Sequence, residues 1–76
     1  MSEDLVINCT RVLLLPVVRF CLRRGVSVQQ LIELIKELVV RAAAEELSSM
    51  GEKANTSRLS ARTGMHRRDV ARLFTE

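Results

Sequence analysis

The sequence predicts an all-α fold, a small helical domain of four to five helices, and three observations lead there. Hydrophobic residues are 47% of the chain but aromatics only 3%, and Ala, Leu and Val dominate, a mixture that suits helix packing better than a sheet core. Apolar residues recur at spacings of three and four along most of the chain. Three glycines and one proline punctuate it at intervals of helix length. Seventy-six residues hold one domain, 1–76, whose core is near the lower limit of self-sufficiency, which leaves little room for a large cavity.

Taken in order, Ser2 is placed to cap a first helix, with Glu3 and Asp4 in the first turn facing the positive end of the helix dipole. Leu5, Cys9, Val12 and Leu13 follow at helical spacing. Pro16 lacks an amide hydrogen, so the helix is expected to kink there or to stop and restart with Pro16 in a new first turn. The continuation carries Val17, Phe20 and Cys21 inward, ends at Arg23 and Arg24, and turns at Gly25. Ser27 and Gln30 form a capping box that opens the longest helix, from Val28 to about Leu47. Val28, Leu31, Ile35, Leu38 and Ala42 share one stripe of it, which Ile32, Leu34, Val39 and Val40 widen, so this helix is either wrapped by its neighbours or shared with a second subunit. SSMGEKAN (Ser48 to Asn55) is the expected loop before two short helices hinged at Gly64.

Charge is unevenly placed. Residues 1–54 carry seven cations and seven anions, whereas residues 55–76 carry Arg58, Arg62, Arg67, Arg68 and Arg72 against Asp69 and Glu76 and so hold the whole net charge of +3. Within that segment Leu59, Ser60, Gly64, Met65, Val70 and Leu73 occupy the positions a helix-turn-helix needs, at about 56–74. Ser60 permits close approach, Gly64 takes the positive φ of the turn, and Met65, Val70 and Leu73 plug the angle between the helices. With those side chains inward, His66, Arg67, Arg68 and Arg72 face out on the second helix, the element that enters a major groove. Arg58 and Arg62 on the first helix suit the flanking phosphates, and arginine matches guanine O6 and N7. Arg68 and Arg72, four residues apart, repel, and a phosphate between them would relieve this. Asp69 is placed to cap the second helix or to pair with Arg72.

RRGVSVQQLIEL (Arg23 to Leu34) repeats the glycine punctuation, but its second helix is apolar and lacks a basic first turn, so it is not expected to read bases. Cys9 and Cys21 lack metal-type or redox spacing and are expected to be reduced and buried. The run VLLLPVV (Val12 to Val18) is bracketed by Arg11 and Arg19 and is read as core rather than as a membrane or signal segment. A lone histidine with no second ligand makes His66 a cap or surface residue rather than a metal ligand. No paired carboxylates, activated nucleophile or glycine-rich phosphate loop points to catalysis, so no enzyme, cofactor or metal is expected.

Two segments, LLLPVVRFCLRRGVSVQQLIELIKELVVRAA and NTSRLSARTGMHRRDVARL, resemble the N-terminal region of an uncharacterised family of bacterial proteins whose members begin with a helix-turn-helix-like domain. The similarity of Leu59 to Leu73 to transcriptional regulators implies DNA binding by Arg67, Arg68 and Arg72. Ser60 stands where alanine is commoner, and His66 replaces the usual serine or threonine cap. Family members are longer, which implies an N-terminal fragment without a wing. The expected function is therefore DNA binding in a cytoplasmic bacterial regulator, with double-stranded DNA as partner, a homodimer through the long helix, and no membrane. The alternative is a helical interaction or dimerisation module that binds no nucleic acid.

Overall fold

The computed structural model describes residues 2–74, which form four helices: α1 (Glu3–Arg23), α2 (Val28–Ser49), α3 (Thr56–Thr63) and α4 (Arg67–Leu73). No strand occurs among the described residues. The chain divides into two compact units, one up to Leu31 and the other from Ile32 onward, with α2 passing from the first into the second.

In the first unit, the Leu5 amide donates to Ser2 Oγ at 3.2 Å, the cap that the sequence predicts, and Glu3 and Asp4 lie in the first turn. Pro16 neither breaks nor restarts the helix, which runs through it for 21 residues. Its missing N–H would have bonded the carbonyl of Val12; that residue is exposed, so water can serve the carbonyl instead. The end of α1 is closed by two bonds, Gly25 N–H to Leu22 O at 3.2 Å and Val26 N–H to Cys21 O at 3.0 Å, with Gly25 at φ 77°. This paired pattern is the Schellman turn, which needs the left-handed residue that glycine supplies. The Ser27–Gln30 box is reciprocal: Ser27 N–H donates to Gln30 Oε1 at 2.9 Å, and Gln30 N–H to Ser27 Oγ at 3.2 Å.

Burial in α1 departs from the sequence reading. No residue of α1 is buried; Leu13 is 72% exposed, Val17 and Phe20 are exposed, and most of Val12 to Val18 faces outward rather than forming a core. Cys9 is likewise exposed and Cys21 half-buried. Periodicity reports which residues share a face, and whether a neighbour covers that face is a separate, tertiary fact. By length and composition alone, α1 is apolar enough to cross a membrane.

The hydrophobic core lies in the second unit. Val40, Ala43 and Leu47 of α2 meet Leu59 of α3 and Val70 of α4, and Ala44, Ala54, Met65, Leu73 and Phe74 pack around them. Leu59 and Val70 are 0% exposed, and burying a Val or Leu side chain stabilises by about 1.5–3 kcal/mol. The inward seam of α2 is thus 40, 43 and 47, displaced around the helix from the stripe at 28, 31, 35, 38 and 42, of which Val28, Ile35, Leu38 and Ala42 are exposed and Leu31 half-buried. The helix also extends two residues into the expected loop, ending at Ser49.

Candidate nucleic-acid interface

The basic segment folds as two short helices joined by a tight turn. Asn55 caps α3 by accepting from the Arg58 amide at 2.9 Å. At the other end Gly64 adopts φ 76°, and its N–H bonds Ser60 O at 3.0 Å. Ser60 does more than allow close approach: its hydroxyl donates to Met65 O at 2.6 Å, tying α3 across the turn. Thr63 Oγ1 donates to Leu59 O at 2.7 Å and accepts from Met65 N–H at 3.2 Å. Together with buried Leu59 and Val70, these bonds fix how α3 and α4 meet.

The five arginines and His66 divide into two groups. Arg72 donates to both oxygens of Glu33 in α2, at 2.7 and 3.1 Å, and to Asp69 Oδ1 at 3.4 Å. Lys36 Nζ lies 3.7 Å from Asp69 Oδ2, which completes a four-membered network between α2 and α4. Hydrogen bonding to Arg72 holds the Glu33 carboxyl below its usual range, and the same contact raises the guanidinium pKa. Arg62 pairs with Glu46 of α2. Arg58 Nη1 donates to Lys53 O at 2.7 Å.

His66, Arg67 and Arg68 form the other group. All three are exposed at the start of α4, and Arg67 and Arg68 make no ion pair among the described residues. His66 stands at the N-cap position without a side-chain hydrogen bond to the helix, so the first amides of α4 lack that acceptor. The six candidate residues therefore share one helical pair, but only three of them present polar groups free of a described protein partner.

The anion that meets Arg72 within the chain is Glu33, and of the two roles the sequence leaves open to Asp69 the pairing with Arg72 is the one found, with Lys36 as a second partner. The sequence offered no sign of Glu33, Lys36 and Glu46 as partners, because Arg72 and Glu33 are 39 residues apart and Arg62 and Glu46 are 16 apart. Pairs that distant are set by how α3 and α4 pack on α2, not by local spacing.

No curated protein and no solved structure matches the chain. The model of a family of unknown function, DUF6502, matches residues 4–76, and with nearly its whole length matched the chain belongs to that family.

Proposed function

We propose that this chain is the DNA-binding part of a cytoplasmic bacterial transcriptional regulator, with α3 and α4 acting as a helix-turn-helix, and that it is not an enzyme. One observation carries the reading: Arg67 and Arg68 are exposed and unpaired among the described residues in the first turn of α4, while the neighbouring arginines are held by protein acceptors. Two guanidiniums on the first turn of a short, rigidly packed helix suit bidentate hydrogen bonding to guanine O6 and N7 or to phosphate. Arg58 and Arg62 flank them on α3, and His66 extends the same edge. In this reading Arg72 acts indirectly, fixing the angle of α4 through Glu33.

Titration of labelled random duplex DNA with the wild type and with Arg67→Ala/Arg68→Ala, at two salt concentrations, tests it. The double variant is expected to bind more weakly and to lower the slope of log K against log salt by about 1.8, two contacts at roughly 0.9 each. Equal binding by a folded double variant, or no binding by the wild type at about 50 mM salt, refutes the proposal.

The second reading, a helical interaction module without nucleic-acid binding, is favoured by the exposed apolar side chains along α1, among them Leu5, Ile7, Leu13 and Phe20. Absence of any DNA-induced amide shifts at Arg58 to Arg72, in a folded chain, selects it.

A further inference from the structure

In the second unit, α2 presents apolar side chains on two sides. Val40, Ala43 and Leu47 are buried against α3 and α4. Ile35, Leu38 and Ala42 face away from that core and are exposed, Leu38 by 45%, and Ile32, Leu34 and Val39 beside them are exposed as well.

The spacing says what fits there. From Ile35 to Leu38 is three residues and from Leu38 to Ala42 is four, and in the sequence the same alternation runs back through Leu31 to Val28. Alternate steps of three and four make the heptad along which one helix lies against another. Val28, Ile35 and Ala42 then take the first seam position, and Leu31 and Leu38 the second. Val28 and Ile35, the branched residues of the first position, together with leucine at the second favour two parallel strands, to which Ala42 adds only a small side chain.

The flanking charges choose the same arrangement. Arg41 and Glu46 fall on opposite flanks of the seam, five residues apart, the offset at which the flank of one helix meets that of its parallel partner. Antiparallel pairing would bring Glu46 against Ile32 or Val39 and Arg41 against Leu34 or a serine. Glu45, at the next seam position after Ala42, closes the apolar stretch. A lipid surface would offer Arg41 and Glu46 no such complement.

We propose that the exposed stripe of α2 is a homodimer interface whose occupant is the same stripe of a second copy of this chain, in parallel register. Arg41 of each copy pairs with Glu46 of the other through the carboxylate oxygen that Arg62 does not contact.

Sedimentation equilibrium of the full chain in reducing buffer is expected to show a dimer, and Leu38→Lys, which places two like charges in the seam, is expected to raise the dissociation constant at least about 100-fold. In a Cys9→Ser/Cys21→Ser background, Ala42→Cys is expected to give a covalent dimer on mild oxidation, since residues at this seam position face one another only in parallel register. This second readout stands even if Leu38→Lys fails to fold. A wild type that remains monomeric to about 1 mM, or a folded Leu38→Lys variant that dimerises as tightly, overturns the proposal. So does a dimeric chain that does not cross-link at position 42, or a chain monomeric in buffer that pellets with phosphatidylcholine vesicles.

Discussion

Replacing Leu59 by alanine removes the branched end of a side chain that is 0% exposed and sits among Val40, Ala43, Leu47 and Val70. The loss combines the transfer of the deleted carbons with a cavity that the surrounding helices can only partly close, about 2–5 kcal/mol for such a change. The unit that holds this core begins at Ile32 and spans 45 residues, for which a total stability of about 2–7 kcal/mol is typical. Leu59→Ala is therefore expected to consume most of that stability and to leave the unit largely unfolded at room temperature. Urea titration followed by circular dichroism at about 222 nm measures it. Leu13→Ala is the control: Leu13 is 72% exposed, and a surface change of this sort shifts stability by no more than about 0.5 kcal/mol. A Leu59→Ala midpoint equivalent to less than about 1 kcal/mol of loss, or equal losses for both variants, refutes the placement of the core around Leu59.

Asn55→Ala removes the acceptor of the Arg58 amide, and a loss of about 1 kcal/mol is expected in the same urea assay. The Glu33 pKa is lowered in the folded chain from its ordinary value of 4.5, so the Arg72 contact contributes stability above that value and loses it as pH falls through the folded pKa. A carboxyl-detected NMR titration should find Glu33 titrating below the other glutamates, and Arg72→Ala should return it toward them; a Glu33 that titrates with the rest contradicts the contact.

Local chemistry was legible in the sequence wherever a few adjacent residues decide it. Ser2, the Ser27–Gln30 box, Gly25 and Gly64 all act within five residues of their partners, and each takes the role its neighbours dictate. Leu59 and Val70 were legible because turn geometry leaves them nowhere to point but inward. The failures lie where the answer depends on what a helix face meets. The stripe at 28, 31, 35, 38 and 42 is the more regular apolar pattern in α2, yet α3 and α4 pack on 40, 43 and 47. Val12 to Val18 has core composition, yet Val12 to Val17 are exposed and only Val18 is half-buried. Pro16 is tolerated inside α1, where Val12, whose carbonyl it leaves without a donor, is an exposed residue that water can reach, a circumstance no propensity scale records. Among the candidate site residues, Arg67 and Arg68 were legible as outward-facing, whereas the capture of Arg72 by Glu33 required knowing where α4 rests on α2.

That capture bears on how many contacts the basic hairpin can make. If all five arginines met phosphates, log K would fall with log salt at a slope near 4.5, whereas Arg67 and Arg68 alone give about 1.8. Arg62 and Arg72 already have carboxylate partners, and turning either toward DNA would break an existing pair, so the wild-type slope is expected near the lower figure. Arg72→Ala then separates the two roles. As a phosphate contact it would lower the slope; as the residue that sets the angle of α4 it should weaken binding while leaving the slope unchanged, and Glu33→Gln should do the same although it removes a negative charge. A wild-type slope above about 4, or an Arg72→Ala slope lower by about 0.9, would place Arg72 on the DNA and refute this division.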